Sequence, residues 1–230
     1  MNTTKQAVYD QQKKWATDHS IPTDADGYTR TVEENLFQPL STETRAEFAA
    51  GSGDELGGTG KRGKMQATHS SSALVCNVFD YWRSRPMASL SEALGAPDAA
   101  GHLYFEQTYP TGLRGTPPHI DVALLGDSTK PFCVESKFSE PYGSDKNDKP
   151  FEISYFPEGS ELWSKHGLTN SQALARKIHH SEIKFSQLGA PQLLKHILGL
   201  ANKFGKDFTL LYLCRSYAVE AKLRVISMSR

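Results

Sequence analysis

The chain carries no surplus of either charge. Lys and Arg together number 26, Asp and Glu 26, and the formal net charge is zero. No overall basic field advertises nucleic acid, so such a partner must be met by a local patch. Cysteine is scarce as well. Cys76, Cys133 and Cys214 lie far apart, each inside an apolar run, the pattern of buried free thiols rather than of disulfides or zinc ligands. No apolar run approaches the roughly eighteen residues of a membrane span, and the opening MNTTKQAVYDQQKKW lacks the apolar stretch of a secretion signal. The expectation is a cytoplasmic protein with no membrane partner. The zinc pattern HExxH is missing. So is a complete phosphate loop: in GSGDELGGTGKRGK the better register sets Gly58, Gly63 and Lys64 in place but puts Met65 where a hydroxyl should hold Mg²⁺.

What is present gathers around residues 118–137, PHIDVALLGDSTKPFCVESK. Two short strands, HIDVALL and PFCVESK, flank the polar turn Gly126 to Lys130. A turn centred on Ser128 sets Asp121 opposite Glu135. Opposed side chains stand roughly 5 Å apart, and like charges so placed repel. Alternation sets Glu135 and Lys137 on one face with Cys133 and turns Phe132 and Val134 to the other. A hard divalent cation, held by one or two carboxylates with waters and substrate phosphate, would turn the unfavourable pair into a site. The Lys137 ammonium beside it could orient or deprotonate water and favour charge developing on phosphate.

At 230 residues the chain suffices for one substantial core. Residues 1–64 are expected to form a helical extension and a Gly-rich surface loop, and residues 65–230 a domain with an insertion at 138–188. A helix is expected over 5–18 with Val8, Gln11, Gln12 and Trp15 on one face, and a second over Thr42 to Ala50, capped by Ser41 and closed by Gly51. His69 and Ser70 open a third helix whose stripe is Leu74, Val75, Val78, Phe79 and Trp82. Its N-terminus can meet an anion, although capping explains the serine as well. After a short helix near Ser89 to Leu94 and a loop at residues 95–98, GHLYFEQT reads as a strand bearing a third acid, Glu106. In the insertion, residues 139–160 read as loop. A helix from Asn170 or Ser171 towards Gln187 then carries Arg176, Lys177 and Lys184, a basic run that fits a phosphate backbone or simply a solvated face. Pro191 to Phe204 is the clearest helix. Its polar edge includes Gln192 and Lys195, which could reach the hairpin acids. FTLLYL, residues 208–213, reads as a buried strand, and beyond Arg215 no closing element is evident.

An Asp in one strand followed by Glu-x-Lys in the next, here Asp121 and Glu135-Ser136-Lys137, resembles the PD-(D/E)xK phosphodiesterase superfamily. The elements expected from periodicity run αβββαβ, the order of that superfamily's core, an α/β restriction-endonuclease-like fold with a mixed central sheet flanked by helices. HSSSALVCNVF, HIDVALL, VESKFSEP and APQLLKHILGLAN look like a bacterial group of restriction endonucleases, over approximately Lys64 to Leu213. The resemblance implies Asp121 and Glu135 as metal ligands, the Ser136 carbonyl and Glu106 as further ones, Lys137 as the catalytic lysine, and Gln192 or Lys195 as helix support for the site. Glu140 in SEP is a further candidate acid. It implies a Mg²⁺-dependent endonuclease, with Mn²⁺ substituting, acting on double-stranded DNA. Cutting both strands ordinarily takes two sites, hence a homodimer, though no residue argues for one. His119-Ile120 stand where the motif's proline would be, a poorly kept position.

Two other readings compete. One is a nucleic-acid-binding module that keeps this fold without chemistry, against which the intact Asp121, Glu135 and Lys137 count. The other is a hairpin of an unrelated α/β protein with charges on its surface. Convergent acids beside a lysine favour the enzyme.

Overall fold

The computed structural model describes every residue except 1–2, 52, 59, 97–100, 128, 144–150, 215–223 and 229–230. The turn centre at Ser128, residues 97–98 of the expected loop and 144–150 of the polar stretch lie outside them.

The described residues build a five-stranded sheet in the order β1 (His102–Thr108), β2 (His119–Leu125), β3 (Phe132–Lys137), β4 (Thr209–Cys214), β5 (Arg224–Met228). The first three strands form an antiparallel meander. β4 lies parallel to β3, and β5 returns antiparallel. Parallel neighbours need a crossover, and the long segment after β3 supplies it with α5 (Thr169–His179) and α6 (Ala190–Phe204). The hairpin register is the expected one, with Val122 opposite Val134 and Leu124 opposite Phe132.

Both faces of the sheet are covered. On one, Leu103, Phe105, Val122, Leu124, Phe132, Val134 and Leu211 pack against α2 (Thr42–Ala50), α3 (Ser71–Phe79) and α4 (Ala88–Ala93). On the other, Ile120, Ala123, Cys133, Leu210 and Tyr212 meet α5 and α6. Two-sided burial explains why β3 and β4 are apolar on both faces, and why polar residues inside them are notable.

The helices differ from expectation in instructive ways. α1 (Thr3–Asp18) buries Val8 and Ala16 and leaves Trp15 half exposed, so its packed face is rotated from the predicted one. In α3 the buried residues are Ala73, Val75, Cys76 and Phe79, while Val78 faces outward. α2 ends as predicted, with Ser41 accepting the Thr44 amide and Gly51 following the last turn. α5 begins at Thr169, without a side-chain cap from Asn170 or Ser171, and stops at His179. Ser181, at φ +60°, then turns the chain away, which leaves Lys184 outside the helix. β5 adds an edge strand beyond the expected elements. Among the described residues no helix is long and apolar enough to cross a membrane.

Candidate active site

The site forms at the end of the sheet where β2 and β3 part. The described ladder reaches Val122 and Val134. One residue further, Asp121 Oδ2 accepts the backbone amide of Ser136 at 2.6 Å, a side chain standing in for a strand partner. That substitution opens room between the strands and brings Asp121 beside Glu135.

Glu135 is 1% exposed and is held from three sides. Lys137 Nζ donates to Oε1 at 2.6 Å, and from α6 the Gln192 amide donates to the same oxygen at 2.8 Å. His196, one helical turn beyond Gln192 and equally buried, sets Nε2 3.2 Å from Oε2. His196 thus stands within ion-pair reach of Oε2, which keeps no well-formed hydrogen bond among the described residues. Burial works against the charge on Glu135, but His196 and Lys137 outweigh it and hold the carboxyl down at about 2. Asp121 moves the opposite way, pushed well above the usual carboxylate range by burial and by the charge of Glu135. Burial disfavours the Lys137 ammonium, yet Glu135 and Asp121 more than offset this and keep it protonated beyond the ordinary lysine range.

These groups line a cleft of about 670 Å³ together with Glu106, His119, Glu140, Glu55 and the start of α3. Glu106 sits within β1 at φ +51°, a left-handed backbone angle costly for any residue but glycine. Burial, then the charges of Glu55 and Glu135, push its carboxyl up to about 7. His119 Nδ1 lies 3.4 Å from it. At the start of α3 the serines are already engaged: Ser70 caps Ala73, Ser71 donates to Glu140 at 2.6 Å, and Ser72 donates to Glu55 at 2.7 Å. The positive end of this helix thus meets the chain's own carboxylates.

Of the residues singled out in the sequence, Asp121, Glu135, Lys137, Gln192, Lys195, Glu106, His69 and Ser70 share this cleft. Ser136 sits between the acids with its amide on Asp121 and its buried hydroxyl unpartnered among the described residues. Arg176 and Lys177 do not join them: they lie exposed on α5, with Arg176 paired to Glu161 at 2.7 Å. Lys184 is exposed beyond that helix. His196 is hidden in the sequence because it interrupts a leucine stripe. The available signal was its i+4 spacing from Gln192, which puts both on one face. Glu55, inside the glycine-rich loop, had no signal of its own.

Among the described residues no group of three or more His, Cys, Asp or Glu side chains is arranged to hold a metal ion. Mg²⁺ needs less: one or two carboxylates, with water and phosphate completing the shell. Two adjacent, mutually repelling carboxylates fit such a cation, and the Oε2 of Glu135 without a hydrogen bond offers it a buried oxygen.

Neither a curated protein nor a solved structure matches the chain. A family model described as Restriction Endonuclease associating with ARP matches residues 3–223, so the likeness extends through α1 and α2, well beyond the segment that carried the motif. With that match spanning nearly all of its length, and with helices on both faces of a mixed sheet, the chain belongs to the family of restriction endonucleases associating with ARP.

Proposed function

We propose that the chain is a metal-dependent nuclease that hydrolyses DNA phosphodiester bonds in this cleft. The observation that carries the proposal is the meeting of Asp121, Glu135 and Lys137 at the parting of β2 and β3, inside a cleft of a restriction-endonuclease family member. Asp121 and Glu135 would hold Mg²⁺ or Mn²⁺, with the Ser136 carbonyl and Glu106 as additional oxygens; the bound ion supplies a water of lowered pKa and neutralises phosphate charge.

The chain's own residues divide the remaining work. Lys137 donates to Glu135 at 2.6 Å and lines the cleft beside Asp121. Its part is to orient the attacking water and to favour the negative charge that grows on the phosphate oxygens. Gln192 fixes Glu135 in one rotamer through its amide, so the carboxylate is set before substrate arrives. Asp121, disfavoured as an isolated anion by burial and by Glu135, gains from any positive charge brought between them.

Incubating purified protein with plasmid, linear duplex and single-stranded DNA, with and without Mg²⁺ or Mn²⁺, tests the proposal. Metal-dependent cutting is expected from the native chain and none from Lys137→Ala, whose fold is checked by circular dichroism. Cutting retained by the variant would remove Lys137 from the chemistry. Binding without cutting by the native chain would instead favour a nucleic-acid-binding module.

A further inference from the structure

The cleft poses an electrostatic problem for a polyanion. Glu55, Glu106, Asp121, Glu135 and Glu140 line it, against the lysines 5, 64, 137 and 195. Two of those lysines are already committed, Lys64 to Glu55 at 3.0 Å and Lys137 to Glu135 at 2.6 Å. Lys5 and Lys195 have no carboxylate partner among the described residues. Both are nevertheless held in place. Lys5 Nζ stands 5.5 Å from the centre of the Tyr9 ring, which stacks on His69 at 3.8 Å. Lys195 Nζ stands 5.1 Å from Tyr155 and 5.8 Å from Phe151. A cation over an aromatic face is steadied without being neutralised, and a lysine already ordered gives up less freedom on meeting a phosphate.

Their positions are complementary. α1 packs through Val8 against Phe138, Tyr142 and Leu74, on the α3 side of the sheet, and so brings Lys5 to the cleft beside His69. Lys195 comes from α6 on the other side. The acid pair lies where the strands end between them.

We infer that Lys5 and Lys195 are positioning residues that grip backbone phosphates on the two sides of the scissile one, and that α1 is therefore one jaw of the cleft rather than a mere extension. The inference rests on the nucleic-acid half of the function proposed above. It assigns the grip to the cleft's two uncommitted lysines instead of to the basic run on α5.

The test is the salt dependence of binding to a labelled DNA duplex, with Ca²⁺ in place of Mg²⁺, for Lys5→Gln, Lys195→Gln, Lys5→Arg and, as an outside comparison, Lys177→Gln. Taking one lysine off a phosphate lowers the steepness of log K against log salt by about one and weakens binding evenly across sequences. Lys5→Gln and Lys195→Gln should each show that drop, the double variant about twice as much, while Lys5→Arg and Lys177→Gln keep the native slope. An unchanged slope in Lys5→Gln, or a flatter one in Lys177→Gln alone, overturns the inference. The two proposals fail separately: a native chain that cuts nothing yet has a flatter slope with Lys5→Gln sinks the nuclease and keeps the grip. Lys137-dependent cutting with an unaltered Lys5→Gln slope does the reverse.

Discussion

Glu106 is held at a double disadvantage, in a left-handed backbone angle inside a strand and with its carboxyl pushed up to about 7 by burial and the neighbouring acids. Its ordinary value is 4.5. Below that value both folded and unfolded chains are protonated there, and between the two values the folded chain keeps a proton that the unfolded one releases. The charged form is thus disfavoured only in the folded state, and stability contributed by Glu106 falls as pH rises from the ordinary value through the raised one. Without added metal, Glu106→Gln should lift Tm at about pH 8 and give little of that gain at about pH 5. A gap between variant and native chain that stays constant across this range would contradict the assignment. Glu135 presents the opposite case. Burial works against its charge, but His196 and Lys137 hold its carboxyl below the ordinary range.

At the scale of elements, the approach of α6 to the loop after β1 determines how well Glu135 is supported. Gly199 lies on the helix face against Tyr109, and a Cβ added there would stand 2.1 Å from the Tyr109 carbonyl oxygen. Gly199→Ala should therefore cost about 1–3 kcal/mol through overpacking, read as a lowered denaturant midpoint. It should also weaken the cleavage proposed above, because α6 carries Gln192 and His196 to the carboxylate. A variant as stable as the native chain would show that helix and loop can part freely. β1 is pinned just before the strained residue, where Glu47 of α2 accepts the Phe105 amide at 3.1 Å and pairs with Arg83. The same scale shows what could be read from the chain beforehand. The β2–β3 hairpin was legible because alternation and a polar turn fix its register, and α6 because its stripe, first-turn proline and closing Gly205 agree. The rotated faces of α1 and α3 were not, since Trp15 and Val78 satisfy a period that the packing does not use. β5 escaped because an edge strand takes its pairing from β4 rather than from a pattern of its own. The candidate site was half legible: type and spacing pick out Asp121, Glu135, Lys137 and Gln192, which the structure brings into one cleft. His196 is marked only by its i+4 spacing from Gln192, and Glu55 only by the surfaces that close on it.

For the molecule as a whole, the cation proposed above should act as a fold stabiliser if it binds between Asp121 and Glu135. Any ligand that binds the folded chain alone raises its stability, by about 2.7 kcal/mol at a hundredfold excess over Kd. In a chain of this size that corresponds to about 5–10 °C in Tm. Mn²⁺ should produce such a rise in the native chain and little in Asp121→Asn, followed by thermal unfolding and by calorimetric titration. An equal rise in both would mean that the ion sits elsewhere. The β3–β4 pairing carries one more consequence, for the order in which the molecule assembles. β1, β2 and β3 are neighbours in sequence and can zip together early, whereas β4 and α6 reach β3 only after the long crossover has closed. Until they do, Glu135 has Lys137 beside it but neither Gln192 nor His196. The newborn meander holds its acids without their full escort, and the complete setting of Glu135 becomes one of the last things the folding chain acquires.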